Sequence, residues 1–243
     1  MRQTTGILLC TVGLAAAPAT ELLAQVSRAP ASVGFVNINV GAQPRRQSFG
    51  SSGSLPIYGE TATFTTSQQI GNGPIFELGA GYRVWRGLAV EVGFSTFSKK
   101  GDNNVSARVP HQLFFDSFAT ATAAATGLEH TERVIHLAAT WFVPVTEKID
   151  VALSAGPAFV TVDQAFVASV SVPVGTQNIA VAPSTASVSS TGGMVAFDGA
   201  YMFHRNIGAG LFLRYVGSTV TVPGVGDLKV GGFQAGLGAR IRF

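Results

Sequence analysis

Residues 231–243 read GGFQAGLGARIRF, and along them every second side chain is apolar: Phe233, Ala235, Leu237, Ala239, Ile241 and Phe243. Between them stand Gln234, Gly236, Gly238, Arg240 and Arg242. A period of two belongs to a β-strand with two unlike faces, because successive side chains of a strand point to opposite sides of the sheet. One strand does not say which of its faces meets water. The rest of the chain decides that.

Seven further segments alternate in the same way: 33–42, 75–85, 88–98, 131–143, 149–160, 193–204 and 207–217. Each is close to the ~9–11 residues that a tilted strand needs to cross a bilayer. Sorting by parity separates two chemistries. One face carries Val36, Ile38, Val40, Phe76, Leu78, Leu88, Val90, Ile135, Leu137, Trp141, Leu153, Phe197, Leu211 and Leu213, with no charge among them. The other carries the mid-strand acids Glu77, Glu91, Asp150 and Asp198, the arginines Arg83, Arg214, Arg240 and Arg242, and many glycines. Connections alternate too: short at Arg86–Gly87, Pro144–Lys148 and Arg205–Asn206, long over 43–74, 99–130, 161–192 and 218–230.

Composition narrows the classes. Charged residues make up 12% of the 243, against about 25% in ordinary soluble domains. The net charge of +3 comes without a Lys/Arg run, so a nucleic-acid track is not expected. Arg2 followed by the apolar stretch Gly6–Ala17 reads as a secretory signal, with cleavage after Ala19 or Ala24. The domain reading is therefore a cleaved signal peptide over 1–24 and one barrel domain over 25–243. Cys10 falls inside the signal, which leaves no cysteine for a disulfide framework. Its setting, ILLC, departs from a lipoprotein box in having Leu before the cysteine. No later apolar run approaches the ~20 residues of a transmembrane helix.

A soluble eight-stranded barrel or sandwich would hide the apolar face and wet the polar one. Here the polar face lacks dense Lys and Glu, and aromatics gather toward strand ends on the apolar face: Tyr82, Trp141, Tyr201, Phe203, Tyr215 and Phe243. That pattern fits lipid outside, with interfacial girdles. Short turns on one side and long loops on the other fit the same topology.

With these features the chain resembles the eight-stranded outer-membrane β-barrels of Gram-negative bacteria, the OmpA transmembrane domain and OmpX/Ail-type proteins. The resemblance implies an all-β, antiparallel up-and-down transmembrane barrel exported to the outer membrane. It also implies that Leu237, Ala239, Ile241 and Phe243 act as the signal read by the barrel-assembly machinery. The chain ends at strand eight, where the OmpA barrel is followed by a peptidoglycan-binding domain.

An eight-stranded barrel is just wide enough for its side chains to fill the lumen. The four acids and four arginines are accordingly expected to pair inside as a structural plug. His136, Asp150 and Ser154 share that inward parity and could suggest a hydrolase, as some lipid A deacylases resemble this size and fold. Those enzymes carry His-x-Ser on one strand, which none of His111, His130, His136 and His204 provides. Neither a metal site nor a cofactor site is read, and the expectation is a non-enzyme. A small pore is the other alternative.

The loops point outward. Residues 164–191 carry no charge and alternate well enough to form a protruding hairpin turning near Gly175–Asn178, or merely an elongated loop; residues 111–127 are read likewise. An open ribbon edge over 161–192 is a site for a surface protein partner. Loop cations Arg45, Arg46, Lys99 and Lys100 are placed to contact lipopolysaccharide phosphates. The expected protein is a monomer in contact with outer-membrane lipid and lipopolysaccharide, with a structural or surface-interaction, adhesion-like role.

Overall fold

All eight alternating segments form strands in a computed structural model of the protein, which describes residues 32–44, 47–50, 52–173, 176, 178–222 and 226–243. The expected signal peptide and the cations Arg45 and Arg46 lie outside the described residues. In chain order the strands are β1 (Gly34–Gln43), β2 (Gln47–Phe49), β3 (Ser52–Ile57), β4 (Glu60–Ile70), β5 (Gly73–Trp85), β6 (Leu88–Pro110), β7 (Phe118–Pro144), β8 (Ile149–Ser171), β9 (Ala180–Met202), β10 (Ile207–Val222) and β11 (Gly226–Arg242).

Eight of them close a ring, β1-β5-β6-β7-β8-β9-β10-β11, in which each neighbouring pair is antiparallel. The first strand seals against the last: Val36 stands opposite Ile241, Ile38 opposite Ala239 and Val40 opposite Leu237. At the seam the amides of Val33 and Gly34 both donate to the Phe243 carbonyl at 2.8 Å. Closure leaves no edge strand within the ring, which is how a sheet satisfies its backbone in lipid.

Parity sets the faces. Outward stand Phe76, Leu78, Val90, Val92, Leu137, Leu153, Leu211 and Leu237, all exposed, while the residues between them turn inward. On β10 the belt runs from Ile207 to Tyr215, eight residue steps; at ~3.3 Å each this is about 26 Å along a tilted strand. Tyr82, Trp85, Trp141, Tyr201, Phe203 and Phe243, all exposed, ring the turn side. Tyr215 and Phe233 pair at the loop side.

The strands themselves run well past the expected segments, and of the two readings open for 164–191 the structure has the protruding ribbon. Residues 99–110 and 118–130 continue β6 and β7, 161–171 and 180–192 continue β8 and β9, and 218–222 and 226–230 continue β10 and β11. The expected extension over 111–127 is half right: 118–127 is strand, while 111–117 is the link beyond the closing pair Pro110↔Phe118. The hairpin over 164–191 is formed, with Ser171 opposite Ala180 as its last pair. The first long connection holds three strands of its own, and β4 pairs with β3 and with the upper part of β6.

The reason that the alternating segments stop short of the strand ends is physical. Apolar-out alternation stops where the bilayer stops, at Thr96 on β6, Arg133 on β7 and Thr161 on β8. Above that level the pattern inverts: Val160, Val162, Val216, Val220, Val222, Leu228 and Val230 turn inward and pack together. A second apolar cluster, Val105, Ala125, Leu128, Val167 and Val170, joins the β6/β7 and β8/β9 ribbons. The same strands are thus membrane sheet below and water-facing sheet above.

Candidate functional site

The lumen is the first place where chemistry is possible, and it is filled. Its floor on the turn side is apolar, with Phe35 and Phe142 edge to face at 5.1 Å and Ala89 and Ala152 beside them. Beside and above it the expected charges appear. Arg214 pairs with Glu77, Arg240 with Asp198, and Arg242 with Asp150.

The fourth expected pair is not made. Glu91 accepts a hydrogen bond from the Thr140 hydroxyl at 2.7 Å, not from an arginine. Arg83 lies over the Phe142 ring at 4.3 Å, and its two terminal nitrogens have no hydrogen-bond partner among the described residues. Arg83 is taken up by the Phe142 ring at the turn-side floor, and Glu91 by the Thr140 hydroxyl of β7.

The pairs belong to a longer chain of hydrogen bonds. Arg240 donates to Asp198 at 3.0 Å and to Asn39 at 2.6 Å; Asn39 donates to Glu77 at 3.0 Å; Arg214 donates to Gln234 at 2.7 Å. Gln234 then donates to Gln43 at 2.7 Å, and Gln43 to Glu132 at 3.3 Å. His130 closes the run, with Nε2 2.9 Å from Glu132 and Nδ1 2.6 Å from Gln164. Seven of the eight ring strands contribute to this run. Its upper half, Gln43, His130, Glu132, Gln164 and Gln234, was missed from sequence. His130 and Glu132 share the inward parity of His136, so that signal was present; Gln43 and Gln164 lie at or beyond the segment ends.

Glycine makes the space. A Cβ on Gly210 would stand 2.8 Å from Arg240 Nε, and one on Gly238 would stand 2.7 Å from Arg240 Nη1. What remains empty is a void of about 30 Å³, space for about two waters, bordered by Glu91, His136, Ser154 and Arg214. The trio His136, Asp150 and Ser154 is not assembled: Ser154 bonds Thr140 at 2.9 Å, Asp150 holds Arg242, and neither His136 nitrogen has a hydrogen-bond partner among the described residues. Among the described residues there is also no cluster of three metal-ligating side chains.

The second place is the loop side, where three hairpin tips meet. Gln112, in the link after β6, donates to the Tyr58 hydroxyl at 3.1 Å and to the Thr176 carbonyl at 3.2 Å. The Asp116 amide donates to Glu60 at 2.9 Å. Tyr58 and Gly59 make the β3–β4 turn with φ of 53° and 78°, a left-handed pair that closes a two-residue hairpin. Lys99 and Lys100 are exposed where β6 leaves the belt.

No family model matches the chain, and no curated protein matches it. Among solved structures it is similar to Neisserial surface protein A, at 14% identity over 86% of this chain and 97% of that one, with a TM-score of 0.46. The outer membrane protein OprG of Pseudomonas aeruginosa aligns at 12% identity over 87% and 97%, TM-score 0.45. The outer membrane protease OmpT of Escherichia coli aligns at 9% over 86% and 97%, TM-score 0.46. By its own closed ring, apolar belt and filled lumen, the chain has the architecture of an eight-stranded outer-membrane β-barrel.

Proposed function

We propose that this protein is a plugged, non-enzymatic barrel of the Gram-negative outer membrane whose working surface is its extracellular ribbons, in an adhesion-like role. The turns face the periplasm and the ribbons face outward, following the usual asymmetry of such barrels. The observation that carries the reading is the contrast between the two ends of the strands. Inside, Arg214 and Arg240 are 2% and 1% exposed and a valine layer closes the mouth, which leaves no path for solute. Outside, the ribbons continue as paired strands and are tied together at their tips.

The β8/β9 ribbon is the surface proposed to take a protein partner. Its β9 edge over 180–192 pairs on one side with β8, whereas β9–β10 pairing begins at Gly193. Such an edge accepts a further strand through main-chain hydrogen bonds. Lys99 and Lys100 are proposed to meet lipopolysaccharide phosphates at the bilayer surface, and the barrel to act as a monomer.

Three measurements test this. Refolded protein in planar bilayers is expected to give no stable single-channel current; a steady conductance would replace the plugged barrel with a small pore. Deleting 161–192 is expected to abolish adherence of expressing cells while the protein still shows heat-modifiable migration; unchanged adherence would remove the ribbon from the role. For the terminal strand, Phe243→Ala is expected to lower the assembled fraction in cells and leave refolding in detergent unchanged, as a signal read by assembly machinery requires.

A further inference from the structure

Above the bilayer, β4, β6 and β7 lie side by side, and their exposed face borders a groove of about 500 Å³. Thr65 and Ser67 line it from β4, Asn104 and Ser106 from β6, and Thr122 and Ala124 from β7. Strand pairing sets them in two rows across the sheet, Thr65–Ser106–Thr122 and Ser67–Asn104–Ala124. Neighbouring strands stand about 4.8 Å apart and alternate residues of one strand about 6.7 Å apart, so the groove floor is a lattice of short side chains. Asn104 lies eight residues beyond Thr96, where the apolar belt ends on β6, which is about 26 Å along the strand. The other face of this sheet is the buried one, where Val105 and Ala125 join the apolar cluster between the ribbons.

Two properties set the groove apart. Its polar groups are open: the Thr65 hydroxyl reaches the Ser106 carbonyl only at 3.5 Å, and the side chains of Ser67, Asn104, Ser106 and Thr122 have no hydrogen-bond partner among the described residues. Elsewhere outward hydroxyls take up one another, Thr161 with Ser189 at 3.0 Å and Thr131 with Ser98 at 3.2 Å. The groove is also neutral. None of its lining residues is charged, and the next exposed positions on β6 hold one charge of each sign, Asp102 and Arg108.

These properties select a class of ligand. Each hydroxyl offers one donor and two acceptor sites, and the Asn104 amide offers two donors and an acceptor, so the floor both gives and takes hydrogen bonds. A sugar ring, with several hydroxyls on a compact frame, does the same. An anionic ligand would meet Asp102 as well as Arg108. A protein partner would find none of the Trp, Tyr or Arg anchors that carry interface energy, and Ser and Thr are under-represented among such anchors. An acyl chain would cover the open hydroxyls without pairing them, which costs free energy. The volume lies in the range of small-ligand sites, about 300–1,000 Å³.

We infer that the groove of β4, β6 and β7 binds a neutral oligosaccharide that reaches the barrel from outside the cell. It lies on a different ribbon from the β9 edge, so the inference goes beyond the protein-partner reading and stands apart from it.

The test uses the full barrel refolded into phosphatidylcholine nanodiscs and an array of neutral, sialylated and sulfated glycans. Wild type is expected to bind neutral glycans, and the tightest of them is then titrated. Ser106→Val/Thr122→Val removes two open hydroxyls and is expected to weaken Kd about tenfold or more, as the loss of two neutral hydrogen bonds requires. Ala124→Phe fills the groove and is expected to abolish binding. Thr161→Val/Ser189→Val removes a hydroxyl pair away from the groove and is expected to leave Kd unchanged. Heat-modifiable migration confirms that each variant is folded. Binding of no neutral glycan, preference for sialylated or sulfated glycans, or equal effects of the groove and control variants would each overturn the assignment. In nanodiscs that contain smooth lipopolysaccharide Kd is expected to hold; loss of binding there would overturn the outside source and give the groove to the cell's own surface sugars.

Discussion

At the residue scale, the lumen depends on charges that are stable only together. Arg214 and Glu77 are both buried, and removing one leaves the other unpaired, which costs ~3–5 kcal/mol. Arg214→Ala is therefore expected to lower the unfolding free energy of the refolded barrel, from urea titration, by that order, while Arg214→Met/Glu77→Gln loses clearly less. Glu91→Gln keeps an acceptor for Thr140 and is expected to leave the unfolding free energy within ~1 kcal/mol of wild type. Equal losses for Arg214→Ala and Glu91→Gln would contradict the unequal roles assigned to them. Gly210→Ala tests the space for Arg240: its Cβ would stand 2.8 Å from the Gly199 carbonyl, a backbone atom that cannot swing away. A destabilisation of ~1–3 kcal/mol is expected from such overpacking.

At the element scale, the six ring strands from β6 to β11 carry two opposite hydrophobic codes in series. On β10, Leu211, Leu213 and Tyr215 face out, and one residue later Val216, Val220 and Val222 face in. The switch has a direct consequence for substitutions on the outer face. Leu211→Arg lies in mid-belt and is expected to cost ~2–4 kcal/mol in lipid vesicles. Ser187→Arg, also outward but above the belt and opposite Asp163, is expected to stay within ~0.5 kcal/mol. Similar costs at both sites would mean that the belt does not end where the outward chemistry changes. The eight segments found by alternation were therefore bilayer segments, and their ends at 98, 131, 160, 193 and 217 mark the membrane surface, not strand ends.

At the scale of the whole molecule, ring closure and tip contacts make one continuous β structure from floor to apex. Slow amide exchange is expected not only in the belt but also over Val105–Val109 and Val160–Val162, which are paired strand residues whose valines are buried. Gln112→Ala with Tyr58→Phe removes two of the three hydrogen bonds that join the tips, leaving that from the Asp116 amide to Glu60. Exchange is expected to speed up over 57–60 and 111–117 and to stay unchanged in the ring. Loss of protection throughout would show that the tips support the barrel as a whole.

The sequence by itself determined what depends on parity: the eight bilayer segments, the lipid and lumen faces, and the inward placement of Glu77, Glu91, Asp150, Asp198 and the four arginines. Parity is local, because successive residues of any strand alternate sides. Tertiary structure alone decided which inward groups meet. Glu77 chose Arg214 and left Arg83 to the Phe142 ring because depth along the barrel is set by the stagger between strands, which no single strand encodes. It also decided that the loops are strands and that their tips join, since the inverted apolar stripes above the bilayer have meaning only once distant hairpins face each other.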